Sequence, residues 1–289
     1  MKRKLTAFLI ALCVLLPGAG NASEDKTILT SFYPIYILTA NLVKDVQGVQ
    51  LMNLAAPEAG CLHDYQLTTA DMKALAAADA FIVNGAGMES FLADVAAQFE
   101  NLAQVTATEN IALSEDGNAH VWLSAKGAAA MAENIARGLK EALPENVQAI
   151  ESNLQAYLKR LDELDAALVD GLAAVQGREI ITFHEAFPYF AEAYGLKVAA
   201  VIEREPGEAL NPKELKELVE VVRNLNNPPL FIEPQYPDLA ARTLADETGA
   251  KVYILDPIVT GPTGLEALAY YEEMMLKNMD TLIDALKKS

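Results

Sequence analysis

The segment from Pro144 to Gly177 carries the most regular helical pattern in the chain. Its apolar residues recur at gaps of three and four, at Val147, Ile150, Leu154, Leu158, Leu161, Leu164, Leu168 and Leu172. This spacing predicts a single amphipathic helix with one apolar stripe, and proline and glycine are typical of its start and its end. At 1.5 Å per residue the helix would reach roughly 40 Å. We therefore predict a rigid helix that joins two lobes.

Segments with strand-like and helix-like patterns alternate on both sides of this helix. Before it, the strand candidates are TILTSFYPIY, VQLMNLAA and AFIVNGAG, and the helix candidates are LTTADMKALAAAD and SAKGAAAMAENIARGLKEAL. After it, the strand candidates are REIITFHEAF, LKVAAVIE, PLFIEPQ and KVYILDPIV, again with helical segments between and after them. Such alternation is typical of α/β folds with mostly parallel sheets. We predict an N-terminal α/β lobe over 23–143, the linking helix over 144–177 and a C-terminal α/β lobe over 178–289.

Residues 1–22 have the three parts of a secretory signal peptide. A basic start at Lys2–Lys4 precedes an apolar run from Leu5 to Leu16, and Ala22 ends a stretch of small residues. The run is too short to cross a bilayer, so we expect a protein secreted across the inner membrane that acts in the periplasm or another extracytoplasmic space. Cys13 follows a bulky leucine where lipid-attachment sites have a small residue, so we expect no lipid anchor.

The charge of the chain excludes some classes of partner. The formal net charge is −18, and cleavage after Ala22 removes three positive charges and no negative ones, which gives −21. A protein this acidic is not expected to bind nucleic acid or an anionic membrane surface. The charge is compatible with a cation as ligand, and equally with a role in solubility alone.

The chain has only 3 histidines, and each lies at a strand end or at a loop-to-helix junction. His63 lies in GCLHDYQLTTAD, His120 in NAHVWLS and His184 in IITFHEAFPYF, while Asp256 ends the strand pattern of YILDPIV. In parallel-sheet proteins, ligands bind beyond the carboxyl ends of the strands. Three imidazoles and one carboxylate suit tetrahedral Zn²⁺, whereas Mn²⁺ prefers more oxygen ligands. A single histidine is more often a hydrogen-bonded structural residue, and no HExxH or CxxC motif is present, so the residues alone leave both interpretations open.

Several motifs in combination point to a family. They are GCLHDYQLTTADM, NAHVWLS and FHEAFPYFAEAYGL, followed by ALNPKEL, FIEPQY and LDP. From about Thr27 to its C-terminus the chain resembles the solute-binding proteins of zinc and manganese ABC transporters, the group typified by the periplasmic zinc-uptake binding protein. The resemblance implies two α/β lobes joined by one long helix, with the metal held between them by His63, His120, His184 and Asp256.

The same resemblance implies a function in metal uptake. A divalent metal, Zn²⁺ or alternatively Mn²⁺ or iron, would be captured and delivered to the membrane permease and ATPase of an ABC importer. We expect a monomer that catalyses no reaction. Within the family a histidine at the third ligand position favours zinc and a glutamate favours manganese, so His184 favours zinc.

The sequence departs from the family pattern near the first two histidines. Zinc-uptake members often carry a long His/Asp-rich loop before the second histidine motif, where this chain has only SEDGNAH. Cys61 stands where a small polar residue is usual, and it is interpreted either as a semi-buried thiol or as a thiolate that joins or replaces a ligand. Leu62 stands where some zinc members have glutamate, so that carboxylate is lost.

Two other functions remain as alternatives. In a zinc hydrolase, Glu185 would activate water at an open metal position. In a surface adhesion protein, the fold would bind a host partner without needing a metal. A fourth protein ligand from Asp256 would favour carriage over catalysis, because catalytic zinc sites keep one position open.

Four residues near the predicted ligands have less specific interpretations. Glu185 follows His184 directly and is interpreted either as its hydrogen-bond partner or as a solvated carboxylate. Glu233 is predicted to hold a loop near the cleft. Trp122 and Tyr65 are interpreted either as walls of the site or as ordinary aromatic core.

Overall fold

The computed structural model of the chain describes residues 25–56, 60, 62, 65–92, 96–99, 102–202, 211–235 and 237–287. The predicted signal peptide, Cys61 and His63 lie outside these ranges. The strands are β1 Lys26–Thr30, β2 Val49–Asn53, β3 Ala80–Val83, β4 Ala103–Thr106, β5 Glu179–Thr182, β6 Lys197–Val201, β7 Leu230–Ile232 and β8 Val252–Ile254. The α-helices are α1 Tyr33–Leu42, α2 Thr69–Ala77, α3 Ala125–Ala142, α4 Val147–Leu172, α5 Pro188–Tyr194, α6 Pro212–Asn224, α7 Leu239–Thr248 and α8 Ala267–Lys287.

The strands form two four-stranded sheets, one on each side of α4 in the sequence. The order of the first sheet is β2-β1-β3-β4 and that of the second is β6-β5-β7-β8. In the described parts of both sheets, all neighbouring strands run parallel. The predicted fold class, two α/β units with parallel sheets joined by a long helix, is confirmed. No helix in the described ranges is long and apolar enough to cross a membrane.

The linking helix α4 packs its apolar stripe against both halves of the molecule. Its 26 residues correspond to about 39 Å, and single 3₁₀ turns extend it at Pro144–Asn146 and Ala173–Val175. The stripe is buried against α1, α3, α5 and α8 at Ile150, Leu154, Leu161, Leu164, Leu168 and Leu172. Val147, predicted to belong to the stripe, is instead 38% exposed at the first residue of the helix. The helix therefore shares one core with the elements on both sides.

One strand prediction was wrong over half its length. TILTSFYPIY was predicted as a strand, but β1 ends at Thr30 and α1 begins at Tyr33. Pro34 lies in the first turn of α1, where its fixed φ angle suits a helix. Every residue of α1 is buried, so the helix has no polar face and its sequence has no amphipathic period. Buried aromatic and β-branched residues without such a period are easily taken for a strand.

We expect Leu168→Ala to destabilise the fold far more than Val169→Ala. Leu168 is fully buried in α4, whereas the neighbouring Val169 is 43% exposed. Truncating a buried leucine costs about 2–5 kcal/mol, because it removes apolar contacts and leaves a cavity. Surface substitutions usually change the free energy of unfolding by no more than about 0.5 kcal/mol. Urea denaturation of the two variants measures the difference, and equal losses would contradict the assigned face of α4.

Candidate metal centre

His120 and His184, two of the predicted ligands, lie side by side although they come from different halves of the chain. His120 directly precedes the 3₁₀ turn Val121–Leu123, and His184 follows β5 by two residues. Their ring centroids are 5.0 Å apart, with an interplanar angle of 83°. The two side chains are almost fully buried, at 3% and 4% exposure. The fold thus brings two imidazoles together at the junction of the two domains.

Asn118 fixes the position and the tautomer of His120. Its Oδ1 accepts a hydrogen bond from the His120 backbone N–H at 3.0 Å and lies 3.1 Å from His120 Nδ1. Its Nδ2 donates to the carbonyl of Glu185 at 2.7 Å. Because Oδ1 can only accept, His120 Nδ1 carries the proton and Nε2 carries the lone pair. A metal would therefore bind His120 through Nε2.

Glu233 orients His184 in the same way. Its Oε1 lies 2.8 Å from His184 Nδ1, and both side chains are buried. A carboxylate accepts hydrogen bonds only, so Nδ1 donates and Nε2 carries the lone pair. Burial raises the pKa of the Glu233 carboxyl, and the hydrogen bond from His184 opposes this effect. Glu185, the partner considered from the sequence, is exposed and does not take this position.

Asp256 lies on the loop after β8, and its backbone is tightly held. Asn278 accepts from the Asp256 N–H at 2.9 Å and donates to the Asp256 carbonyl at 2.7 Å. The side-chain Oδ1 accepts from the backbone N–H of Ile258 at 2.8 Å. Burial raises the pKa of the Asp256 carboxyl, while the hydrogen bonds from Ile258 and Gln235 oppose the shift. A cation nearby would favour the ionised form.

The loop after Asp256 has an unusual backbone conformation. Ile258 has a φ of 62° although it is β-branched and fully buried. Such a conformation costs on the order of 1–3 kcal/mol and persists only where the surroundings enforce it. One such contact is the hydrogen bond from Trp122 Nε1 to the Pro257 carbonyl, at 2.8 Å. The loop is therefore constrained by a residue of the other domain.

Trp122 belongs both to the core and to the site. Its side chain is fully buried, and its ring centroid lies 5.0 Å from that of His120. Gly127 is required for the local packing, because a Cβ there would overlap the Val121 carbonyl. The 3₁₀ turn after His120 is thus pressed against the first turn of α3, which Ser124 caps at the Gly127 N–H.

The predicted ligand His63 lies outside the described residues, but its neighbours are anchored. Leu62 is fully buried, and its carbonyl accepts from the Tyr65 N–H at 3.1 Å. Tyr65 donates its hydroxyl to Asp71 at 3.0 Å and packs edge-on against Phe91. Burial and then this hydrogen bond raise the pKa of Tyr65 to about 12. These contacts place Tyr65 in a packed cluster beside α2.

The described ranges do not by themselves contain a complete metal site. Within them, no three His, Cys, Asp or Glu side chains form a group that could hold a metal ion. His120 and His184 are brought together, Asp256 follows β8 at the edge of the second sheet where His184 follows β5, and His63 is not described. The predicted set of four ligands therefore stays a prediction.

Sequence reasoning named Glu233 as a residue near the cleft but missed two other residues that orient the predicted ligands. Asn118 holds His120, and Asn278 clamps Asp256. Asn118 carried a local signal, because asparagine side chains often accept a hydrogen bond from the backbone N–H two residues later, which here belongs to His120. Asn278 lies on α8, 22 residues after Asp256, and no local pattern could have revealed their contact.

A family model described as the periplasmic component A of the zinc-uptake complex matches residues 28–285. The chain belongs to this family. The match covers both sheets and the linking helix, so the family assignment applies to the whole described fold.

Individual relatives agree with this assignment. The zinc-binding lipoprotein AdcA of Streptococcus pneumoniae is 28% identical over 97% of this chain, which spans only 60% of the length of AdcA. The high-affinity zinc uptake system protein ZnuA of Bacillus subtilis is 29% identical over 96% of each chain. Among solved structures, the solute-binding protein FpvC of Pseudomonas aeruginosa in complex with Ni²⁺ matches with a TM-score of 0.82 and 27% identity, covering 92% of this chain and 98% of FpvC.

We expect Glu233→Leu to weaken zinc binding by about 10- to 100-fold, the usual cost of losing a hydrogen-bond partner of a ligating histidine. Without Glu233, His184 loses the acceptor that fixes its Nδ1–H tautomer. The matched control is Glu185→Leu, which removes the exposed carboxylate next to His184 and should bind zinc as the wild type does. Competition with a fluorescent zinc chelator measures both affinities. Equal losses in the two variants would contradict the assignment of Glu233.

Proposed function

We propose that the protein captures a divalent transition metal, zinc above others, between its two domains and delivers it to an ABC importer. The observation that carries this proposal is the pair of buried histidines, one from each half of the chain, with ring centroids 5.0 Å apart. Each has its Nδ1 bonded to a fixed acceptor, Asn118 or Glu233. Two imidazoles presented in this way are a pre-organised part of a metal site.

The proposed ligands are His63, His120, His184 and Asp256. Three neutral imidazoles and one carboxylate would replace the water shell of the ion and give it four ligands, as in closed zinc sites. The linking helix 144–177 would separate the two domains that supply them, with domain boundaries near 143 and 178. Cargo binding of this kind needs no bond making or breaking in the protein.

Zinc is favoured over manganese by the donor set and by the relatives. Imidazole suits zinc, whereas manganese prefers carboxylate, carbonyl and water oxygens. AdcA and ZnuA carry zinc in their names. FpvC has been solved with Mn²⁺ as well as Ni²⁺, so manganese is the alternative cargo that the fold can accommodate.

The proposed partners are the membrane permease and the ATPase of the importer, and the proposed place of action is the periplasm or an equivalent extracytoplasmic space. The family description, a periplasmic component of a zinc-uptake complex, supports both. We propose a monomer with no enzymatic activity. In support, the carboxylate beside His184 is Glu233, whose bonded oxygen serves to orient an imidazole. Glu185, the base of the hydrolase alternative, is exposed.

The first test is the metal content of the mature protein and of its His120→Ala variant. Both are equilibrated with equal zinc and manganese, desalted and analysed by mass spectrometry. We expect one zinc per wild-type chain and almost none in the variant after desalting, because losing a ligand should cost more than the roughly 100-fold in affinity that losing an orienting partner can cost. Lys159→Ala, a change at a side chain that is 77% exposed on α4, is the control. Bound manganese would change the cargo, and absence of metal from the wild type would refute the proposal.

The role of His63 needs a separate test, because it is inferred from the sequence. We expect His63→Ala to lose zinc to the same degree as His120→Ala, since each would remove one of four ligands. Cys61→Ser should bind zinc as the wild type does, because a closed tetrahedral site has no position for a fifth ligand. The same chelator competition measures both variants. A strong loss in Cys61→Ser would instead identify the thiolate as a ligand.

A further inference from the structure

The two hydrogen bonds that described residues donate to the Asp256 carboxylate end on the same oxygen. Oδ1 accepts from the Ile258 N–H at 2.8 Å and, more weakly, from Gln235 Nε2 at 3.4 Å. Gln235 is itself anchored, since the same nitrogen donates to Thr260 Oγ1 at 2.9 Å. One carboxylate oxygen is thus engaged by the protein, and the other is the oxygen that can meet a cation.

This carboxylate has little freedom to rotate. Asn278 bonds the Asp256 backbone on both sides, and Trp122 holds the next carbonyl, that of Pro257. Ile258 is fully buried with a φ of 62°, the conformation that accompanies the donation of its N–H to Oδ1. Turning Oδ1 toward a metal would break this bond and require the loop to change.

The number of oxygens that Asp256 supplies bears on the choice of metal. Three imidazoles and one oxygen make four ligands, the usual number for zinc. A second carboxylate oxygen would raise the coordination number and the oxygen content, toward what manganese prefers. We propose that Gln235, together with the Ile258 amide, holds Asp256 as a one-oxygen ligand and is thereby a determinant of zinc over manganese. This inference rests on the proposed function.

The topology explains why Gln235 can act in this way. In the second sheet β7 lies between β5 and β8, the strands that precede His184 and Asp256. The segment after β7 contributes none of the proposed ligands. It carries Glu233, which bonds His184, and two residues later Gln235, which bonds Asp256. The segment that follows β7 therefore supplies the residues that position the proposed ligands after both neighbouring strands, β5 and β8.

The test compares zinc and manganese affinities of the mature chain with those of Gln235→Leu, by chelator competition. We expect the ratio of zinc to manganese affinity to fall about 10-fold, the lower end of the range for partners of a ligating group. The matched control is Gln155→Leu on α4, where the described hydrogen bond of Gln155 is to Glu151.

A second variant, Thr260→Val, removes the hydroxyl that anchors the Gln235 amide. It should shift the affinity ratio in the same direction by a smaller factor. An unchanged ratio in Gln235→Leu, or equal losses for both metals, would overturn the proposal.

A crystal structure of the zinc-loaded wild type tests the geometry directly. We expect one Asp256 oxygen at about 2.0–2.2 Å from the zinc, with Oδ1 still bonded to the Ile258 N–H. Both oxygens bound to zinc would overturn the inference and leave metal carriage intact. A wild-type protein that takes up neither metal would overturn the proposed function itself, so the two failures are distinguishable.

Discussion

The arrangement of the candidate site depends on one hydrophobic core that runs through the linking helix. The apolar stripe of α4 belongs to the same buried cluster as Trp122 from the first half and Leu255 from the second. Arg160 of α4 adds polar bonds on both sides, to Asn41 of α1 and to the Leu268 carbonyl of α8. Because a close-packed core deforms little, the carboxyl ends of the two sheets keep a fixed relation. That relation places the rings of His120 and His184 5.0 Å apart.

Hydrogen bonds from outside the proposed ligand set orient three of its four members. Asn118 and Glu233 bond Nδ1 of His120 and His184, and the Ile258 amide bonds Oδ1 of Asp256. Asn118 is itself held, since its Nδ2 donates to the Glu185 carbonyl, and Glu233 and Ile258 are buried, so the bonded histidine and aspartate atoms have fixed orientations. Such pre-organisation reduces the ordering cost of binding.

Periodicity and strand ends predicted a large part of this architecture. The gaps of three and four between Ile150 and Leu172 identified the linking helix, and strand ends identified the places where His184 and Asp256 lie. Prediction failed where burial removes the pattern, as in α1, whose residues are all buried. Adjacency in the sequence also offered Glu185 as a partner of His184, with a solvated carboxylate as the other interpretation. The structure gives that role to Glu233, 49 residues away, since parallel strands bring distant residues side by side.

The sequence by itself determined the chemical character of this protein. Its acidic composition and 3 histidines were compatible with a cation ligand, its motifs indicated the family and with it the metal, and the apolar stripe predicted two units on one helix. Only the tertiary structure decided how the proposed ligands are oriented. The contacts that make this choice join residues far apart in the chain, such as Asn118 with Glu185 and Trp122 with Pro257. No local pattern encodes them, because only the packing of the two domains brings these residues together.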